Sequence, residues 1–297
     1  MTAVSQTTPF HSQTIAVIGV GLIGGSFAAA LKQAGCVGRV LGAGRRPETL
    51  QEALRLGLID ETVTLAEAAR RADFIFIAAP VSAFAAIFAA LAPSLNATAV
   101  ITDGGSTKQN VIEAARQHLK ERVAQFVPSH PMAGSHETGP QAADATLYRN
   151  KRVMLTPLVE NHPQDVERVQ AAWRVCGAQI VSLNPAQHDA AMAAISHMPH
   201  WITALYMQHL TQSDDATLKL ELAGSGFRDF TRIAQASPEM WCDIFLENRL
   251  AMQNEIASFR KVLDRAEHAL TGGDYAYLRD MLEVASSARR DWAGKQS

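Results

Sequence analysis

The sequence predicts an α/β protein with an N-terminal doubly wound parallel sheet, followed by an all-α C-terminal domain. Short apolar runs alternate with helical patterns through the first half of the chain, as in successive βαβ units. After Asn184 and Pro185 the strand-like runs stop, and helical patterns continue to the end. We therefore predict two domains, residues 1–184 and residues 185–297.

The first element is a buried strand at residues 14–18, followed by a glycine-rich turn and a helix at residues 27–32. Further strands are predicted at residues 39–43, 73–78, 98–102, 124–128 and 152–156. Helices are predicted between them at residues 47–56, 65–71 and 108–122. One more helix and strand, at residues 163–176 and 179–183, are expected to extend the same sheet.

The turn after the first strand has the spacing of a dinucleotide-binding site. It reads Gly19-Val20-Gly21-Leu22-Ile23-Gly24 and lies between a strand and a helix. Gly19 permits the tight turn, Gly21 lets a pyrophosphate approach the backbone, and Gly24 lets the helix pack close to the strand. The helix N-terminus offers free N–H groups to the phosphates. These features predict a Rossmann-type domain that binds a nicotinamide dinucleotide, with Leu22 and Ile23 as further contacts.

The run at residues 74–92 is almost wholly apolar and long enough to span a bilayer. Pro80 and Ser82 interrupt it, and its first part is β-branched and aromatic whereas its second part is alanine-rich. We interpret it as a buried strand, a turn at Ala79-Pro80 and a core helix, and not as a membrane span. Ala79 and Pro80, at this strand end, are included among the predicted cofactor contacts.

Two arginines bear on which dinucleotide is bound. NAD-binding folds of this type place an Asp or Glu at the end of the second strand, where it holds the ribose 2′-hydroxyl. Here Arg45 and Arg46 follow that strand, and no acid occurs before Glu48. Because arginine can pair with a 2′-phosphate and stack on adenine, we expect NADP to be preferred, with NAD as the alternative. In the other interpretation both arginines are solvated loop charges.

Composition argues against several kinds of partner. The net charge of −2 provides no basic surface for nucleic acid or for a membrane. The three cysteines are far apart and form no C-x-x-C motif, so neither a disulfide framework nor a zinc ribbon is expected. No signal peptide is visible, which favours the cytoplasm. His197, His200 and Asp189 suggest a metal site only weakly, since no fourth ligand is evident, and no metal is predicted.

An apolar stripe runs through the C-terminal half. Apolar residues from Trp241 to Leu270 recur mostly at steps of three and four, which predicts one long helix. A helix of this length on a short domain usually needs a partner, so a homodimer through these helices is expected. In the alternative the stripe packs only within its own subunit.

Two predicted strand ends carry residues that suit the oxidation of an alcohol. The segment from Asp103 to Lys108 follows one strand, and Ser129-His130-Pro131 follows the next. Both should open beside the nicotinamide. A histidine there can accept the hydroxyl proton while hydride leaves the same carbon. Ser106 is expected to hydrogen-bond that hydroxyl or to orient the imidazole. The structural alternative is an ordinary loop histidine.

An ordered set of motifs carries a family resemblance. The set comprises the glycine turn with Gly25-Ser26, Asp103-Gly104-Gly105-Ser106-Thr107-Lys108, His130-Pro131-Met132-Ala133-Gly134, Leu147-Tyr148, Leu155-Thr156-Pro157, Ser196-His197-Met198-Pro199-His200, Phe227-Arg228-Asp229-Phe230-Thr231-Arg232, and Trp241 with Phe245-Leu246-Glu247-Asn248. Over residues 14–254 this set resembles the prephenate/arogenate dehydrogenase family of tyrosine biosynthesis. The resemblance implies a Rossmann domain with a helical dimerisation domain. It also implies oxidative decarboxylation of prephenate to 4-hydroxyphenylpyruvate, of arogenate to tyrosine, or of both, as in a cyclohexadienyl dehydrogenase.

The resemblance further implies roles for individual residues. His130 polarises the ring hydroxyl during hydride transfer, and Ser106 hydrogen-bonds the same region. Arg232 binds a substrate carboxylate, for which a planar guanidinium is well suited. The remaining substrate contacts that it implies are His197, Ser135 and Trp241.

Two departures from the family pattern leave the choice between prephenate and arogenate open. His136 stands where some relatives carry glutamate, and Arg228 stands where some carry lysine. Arg228 either adds positive charge for the substrate or is solvated. The other histidines are expected at the surface: His11, His118, His162, His188, His209 and His268.

Two other functions are weighed. A β-hydroxyacid dehydrogenase usually relies on a lysine of its helical domain, but Lys219 and Lys261 lie in no matching motif. A non-catalytic protein that binds NADP and senses redox state would not need His130, Ser106 and Arg232 together.

Overall fold

The structure is a computed structural model that describes residues 9–134 and 137–294. Its backbone forms two compact units, Met1–Arg249 and Leu250–Ser297. The first unit contains all the strands of the described chain, and the second is helical. The boundary placed after residue 184 marks a change from strands to helices, and it stays a prediction.

A five-stranded parallel sheet forms the centre of the first unit. Its strands are β1 (Ser12–Ile18), β2 (Val37–Ala43), β3 (Glu61–Thr62), β4 (Phe74–Ile77) and β5 (Val100–Asp103), in the order β3-β2-β1-β4-β5. The helices between them are α1 (Leu22–Gln33), α2 (Pro47–Arg55), α3 (Leu65–Arg71), α4 (Phe84–Leu91) and α5 (Gln109–Leu119). The predicted α/β fold class is confirmed. The strand order reverses at β1 and β4, which is where such sheets bind ligands.

Strand β4 shows why the sheet is buried on both faces. All four of its residues are fully buried. Successive side chains point to opposite faces of the sheet, so Phe74 and Phe76 share one face and pack with Phe27 and Trp173. The ring centroid of Phe27 lies 4.4 Å from that of Phe76 and 6.2 Å from that of Phe74, and the rings of Phe76 and Trp173 are 5.4 Å apart. The isoleucines between them face the second apolar cluster, which includes α4.

The apolar run at residues 74–92 folds as predicted. It forms β4, a short 3₁₀ turn (Val81–Ala83) and helix α4, which packs into the core through Phe84, Ile87, Phe88 and Leu91. Among the described residues, no helix combines the length and the apolar character that crossing a bilayer requires.

The last strands do not extend the parallel sheet, and here the prediction was wrong. β6 (Ser129–Pro131), β7 (Arg152–Leu155) and β8 (Gln179–Ser182) form a separate sheet in which β6 and β7 are antiparallel. No strand forms at residues 124–128: a 3₁₀ turn (Lys120–Gln125) covers the first two of these residues, and Phe126 makes a single bridge to β5. At the end of β5, the Ser129 N–H donates to the Asp103 carboxylate and the Ser129 hydroxyl donates to the Asp103 carbonyl. These two bonds, each of which involves a side chain, take the place of backbone pairing between strands.

Helix α6 (Pro163–Val175) connects β7 to β8, and the helical region follows β8. Its helices are α7 (Pro185–Met192), α8 (Met198–Thr211), α9 (Ala216–Glu221), α10 (Ser225–Thr231), α11 (Pro238–Glu247), α12 (Arg249–Thr271) and α13 (Tyr275–Gly294). A turn of π-helix, Ala193–His197, joins α7 to α8.

The single long helix predicted from Trp241 to Leu270 is also wrong. The helix ends at Glu247, and α12 begins at Arg249. Asn248 between them has φ −106° and ψ 25°, outside the helical region. Its buried side chain donates to the backbone carbonyl of Asp189 at 2.9 Å and lies 3.1 Å from Nδ1 of His197. These tertiary contacts outweigh the helical periodicity of the sequence.

Candidate active site

The glycine turn after β1 has the shape that a dinucleotide needs. Gly19 has φ +91°, and a Cβ there would collide with the backbone of Ala78. A Cβ on Gly24 would collide with the carbonyl of Gly19. A Cβ on Gly21 would meet nothing within 4 Å, so open space lies over the N-terminus of α1. This turn therefore fits a bound pyrophosphate.

The other predicted cofactor contacts lie at the same edge of the sheet. Leu22 and Ile23 form the partly exposed first turn of α1. Ala79 and Pro80 follow β4, which pairs with β1. Arg45 and Arg46 follow β2 and are exposed, and no acidic side chain intervenes between β2 and α2.

A buried ion pair holds the strand that carries the candidate base. The Lys108 ammonium donates to the Asp103 carboxylate, and both side chains are completely buried. Lys108 also donates to the backbone carbonyl of Ser129 at 2.8 Å, while Asp103 accepts the Ser129 N–H at 2.8 Å. Burial raises the pKa of Asp103 and lowers that of Lys108, and their mutual attraction opposes both shifts. The peptide groups on both sides of Ser129, the residue before His130, are thus fixed.

The imidazole of His130 contacts a second histidine. Its Nδ1 lies 2.9 Å from Nε2 of His188. Nδ1 of His188 in turn lies 2.8 Å from the carboxylate of Asp189. The pKa of His130 is lowered well below its usual value, first by burial and then by the nearby His188, Lys108 and His197. His130 is therefore neutral at physiological pH and can accept a proton.

The carboxylate of Asp189 is the fixed end of this chain. It accepts the backbone N–H of Lys108 at 2.8 Å and that of Gln109 at 2.9 Å, at the start of α5. Burial alone would raise the pKa of Asp189, but hydrogen bonds from His188 and from these two N–H groups hold it below its usual value. Asp189 is therefore ionised. The predicted surface position of His188 is wrong, because this side chain is completely buried between Asp189 and His130.

A second group of aromatic side chains continues from this chain. His197 is buried and lies beside Asn248, which also binds Asp189. Burial lowers the pKa of His197 to about 4. The ring of Trp241 lies 6.0 Å from that of His197 and stacks on His200 at 3.6 Å between centroids.

Arg232 lies at the far end of this aromatic group. It begins a short 3₁₀ turn (Arg232–Gln235) after α10, and its side chain is exposed. Burial is the main reason why the pKa of His200 is lowered, and the charge of Arg232 contributes further. Contacts lead from His130 through His188 to Asp189, whose backbone carbonyl binds Asn248. They continue from Asn248 through His197 and Trp241 to His200, whose pKa the charge of Arg232 helps to lower.

The remaining predicted site residues lie as follows. Ser106 is partly exposed in the loop between β5 and α5, directly before the buried Thr107 and Lys108. Its expected hydrogen bond to the substrate hydroxyl or to the imidazole stays a prediction, and the side chain within hydrogen-bond distance of the His130 ring is that of His188. Arg228 is exposed on α10. Ser135 and His136 lie outside the described residues.

The described residues contain no cluster of three or more His, Cys, Asp or Glu side chains arranged to hold a metal ion. The side chain of Asn248 instead contacts Nδ1 of His197 and donates to the backbone carbonyl of Asp189.

Three groups have roles that were not predicted from the sequence: His188, Asn248 and the pair Asp103–Lys108. The pair lies inside a quoted motif, and its five-residue spacing beside a buried strand is the one signal that pointed to it. An isolated histidine on a helix, or an isolated asparagine between two helices, carries no comparable signal.

Two family models match the chain. Residues 27–182 match the model described as prephenate dehydrogenase, nucleotide-binding domain, and residues 184–284 match that described as prephenate dehydrogenase, dimerization domain. Together the two matches cover most of the sequence.

Similar proteins belong to the same group of enzymes. A prephenate dehydrogenase of Bacillus subtilis is 37% identical over 255 residues, which are 85% of this chain and 68% of that protein. A cyclohexadienyl dehydrogenase of Zymomonas mobilis is 32% identical over 279 residues, which are 93% of this chain and 94% of that protein.

Solved structures show the same fold. The prephenate dehydrogenase of A. aeolicus, in complex with hydroxyphenyl propionate and NAD+, superposes with a TM-score of 0.88 at 31% identity and covers 94% of this chain and 98% of that one. The Synechocystis arogenate dehydrogenase superposes with a TM-score of 0.81 at 29% identity and covers 94% and 100% of the two chains.

Proposed function

The chain belongs to the prephenate dehydrogenase family, and from this we propose that it converts prephenate to 4-hydroxyphenylpyruvate by oxidative decarboxylation with a nicotinamide dinucleotide. The observation that carries the proposal is the position of His130, whose imidazole is neutral. His130 lies on β6 directly after Ser129, and the buried ion pair Asp103–Lys108 binds the backbone of Ser129. The family resemblance of the sequence is confirmed, and the enzyme is an oxidoreductase.

The reaction is favourable once the substrate is correctly held. Prephenate carries a hydroxyl on a cyclohexadiene ring and two carboxylates. Loss of hydride from the carbinol carbon, with loss of the hydroxyl proton, gives a dienone. The electron pair of the breaking carbon–carboxylate bond then enters the ring, CO₂ leaves and the ring becomes aromatic. The protein therefore needs to orient the substrate and handle one proton.

We assign these tasks to residues of this chain. Nε2 of His130 accepts the hydroxyl proton and can return it to the phenolate oxygen that forms on aromatisation, so no net proton is released. Ser106, in the loop after β5, hydrogen-bonds the same hydroxyl region. Arg232 pairs with a substrate carboxylate as a charge-assisted fork. His197, Trp241, Ser135 and Arg228 complete the proposed set of substrate contacts.

The cofactor is proposed to lie on the glycine turn, in contact with Gly19, Gly21, Leu22, Ile23, Gly24, Ala79, Pro80 and Ser106. A bound nicotinamide would accept the hydride. We propose that NADP is preferred, because Arg45 and Arg46 follow β2 with exposed guanidinium groups and no carboxylate stands at the end of that strand. NAD remains the alternative.

We also propose a homodimer built on the C-terminal helices. Large apolar side chains are exposed along α12 and α13, among them Phe259, Leu263, Leu270, Leu282 and Trp292. The matching family model for residues 184–284 is described as a dimerization domain. An exposed apolar stripe of this kind is what a second copy of the chain would bury.

Steady-state assays at 340 nm test the function. We expect reduction of NADP+ or NAD+ with prephenate, and we compare arogenate and β-hydroxyacids as substrates on the same preparation. Turnover of arogenate alone would replace prephenate by arogenate as the substrate. Turnover of β-hydroxyacids alone, or cofactor binding without any turnover, would refute the proposal.

A further inference from the structure

A chain of three side chains leads from the start of α5 to the candidate base. The N–H groups of Lys108 and Gln109 bind the Asp189 carboxylate, which binds Nδ1 of His188, whose Nε2 contacts Nδ1 of His130. His188 and Asp189 are almost completely buried, and neither needs to touch the substrate. Apart from Nε2 of His130, each side-chain nitrogen and oxygen along this chain has a partner, so the charge of Asp189 determines the direction of each hydrogen bond.

The charge of Asp189 sets the direction of these hydrogen bonds. An ionised carboxylate can only accept hydrogen bonds, so Nδ1 of His188 must carry a proton. In a neutral His188 the other ring nitrogen, Nε2, is then an acceptor. Since it lies 2.9 Å from Nδ1 of His130, that Nδ1 must be the donor. The remaining nitrogen of His130, Nε2, then has a free lone pair.

We propose that Asp189 and His188 are positioning residues that fix His130 in the tautomer with a proton on Nδ1 and a free lone pair on Nε2. This inference rests on the proposed function for its catalytic meaning. The hydroxyl O–H bond breaks and the Nε2–H bond of His130 forms, while the protons on both Nδ1 atoms stay in place. The positive charge that appears on His130 is stabilised through His188 by the anionic Asp189.

The proposed tautomer of His130 requires a neutral His188, and the nearby charge of Lys108 favours that state. Its ammonium group would disfavour a second cation at His188, and it contributes to lowering the pKa of both histidines after burial, the main cause. A protonated His188 would donate from Nε2 and force the opposite tautomer on His130, with its Nε2 blocked. The arrangement therefore works only if His188 is neutral.

The first test is the tautomer itself, which requires no substrate. Histidine-selective ¹⁵N labelling and long-range ¹H–¹⁵N correlation distinguish a protonated ring nitrogen from an unprotonated one. The His130 signals are assigned by their loss in His130→Asn. We expect Nδ1 of His130 to be protonated and Nε2 unprotonated in the wild-type enzyme at neutral pH. A proton on Nε2 would overturn the proposal.

The second test removes the negative charge of Asp189. In Asp189→Asn the amide oxygen can keep the hydrogen bonds that Oδ1 accepts from His188 and from the Lys108 N–H, while the NH₂ group faces the N–H of Gln109. Because no anion then stabilises the positive charge that forms on His130, we expect kcat for the substrate that the wild type turns over to fall by about 10²–10³-fold, with KM within about threefold. Asp165→Asn, on α6, is the matched control and should retain both values.

Asp189 also binds the start of α5, so a variant that spares this contact is needed. In His188→Asn the shorter amide can still reach Asp189 but leaves Nδ1 of His130 without an acceptor. We expect kcat to fall by at least about tenfold in this variant, with circular dichroism unchanged. If either variant folds and keeps the wild-type kcat, the positioning roles proposed for Asp189 and His188 are refuted. Failure of the wild type to turn over prephenate would instead refute the proposed function, and the tautomer measurement would still stand.

Discussion

Nζ of Lys108 lies 2.8 Å from the backbone carbonyl oxygen of Ser129, so a buried cation holds the residue that immediately precedes His130. The same ammonium group pairs with Asp103, whose carboxylate accepts the N–H of Ser129. One ion pair therefore fixes the backbone that carries the base, before any substrate arrives. This link between stability and the site leads to the first prediction.

Lys108→Met should destabilise the protein by about 3–5 kcal/mol, because it leaves the Asp103 carboxylate buried without its cation. Arg116→Met removes an ion pair with Glu160 that is largely exposed, and this matched variant should cost about 1 kcal/mol or less. Urea unfolding at one protein concentration measures both. Equal losses in the two variants would contradict the importance assigned to the buried pair.

His130→Asn should lower kcat for prephenate by about 10²–10⁴-fold, the usual effect of losing a general base. The asparagine still fills much of the volume, so we expect KM to change little. Stopped-flow and steady-state absorbance of the reduced cofactor give both constants. A kcat close to that of the wild type would remove His130 from the proposed role.

The pH profile should reflect the environment of His130. The base must be unprotonated, so activity falls as the pH drops through its pKa. Burial lowers that pKa, and the charges of His188, Lys108 and His197 lower it further. We therefore expect log kcat/KM to stay level down to about pH 6.5, the ordinary histidine value, and to decline only below it. An acid limb centred above that value would contradict the neutral-base assignment.

Arg232→Ala should mainly raise KM for prephenate, because a charge-assisted pair with a carboxylate is lost. The side chain is exposed and starts a short 3₁₀ turn, so folding should not suffer. Arg70→Ala, at an exposed arginine of α3 outside the proposed site, separates a specific contact from a general loss of positive charge. If KM is unchanged in Arg232→Ala, this arginine has a structural role only.

Replacing Arg45 and Arg46 together by alanine should reduce kcat/KM for NADP+ far more than for NAD+, because only NADP carries a 2′-phosphate. The ratio of the two specificity constants, measured in the wild type and in the double variant, decides the matter. A wild-type enzyme that prefers NAD+, or a ratio that the double variant leaves unchanged, would show that these arginines are ordinary loop charges.

Much of the first sheet could be predicted because its signals are local. Strands β1, β2, β4 and β5 are short apolar runs, and Gly19 and Gly24 mark the turn that follows β1. The two-residue strand β3 lacks such a run and was not predicted. The separate sheet of β6, β7 and β8 depends on pairing between distant segments, and its antiparallel pair leaves no trace in the sequence periodicity.

The site was predicted in part for a similar reason. His130 lies in an unusual strand-end motif, which drew attention to it. His188 lies on a helix without a motif, and only the fold shows that it is buried between His130 and Asp189. Asn248 stands in an apolar helical stripe, and its side-chain bonds to Asp189 and His197 interrupt that helix in a way that periodicity cannot reveal.

The three glycines of the first turn are subject to different selective pressures. At positions 19 and 24 a methyl group would strike the protein's own backbone, so natural selection for folding alone would keep glycine there. At position 21 a methyl group would strike nothing within 4 Å. A descendant that had abandoned its dinucleotide would therefore be free to accumulate alanine or serine at position 21, while retaining glycine at the other two.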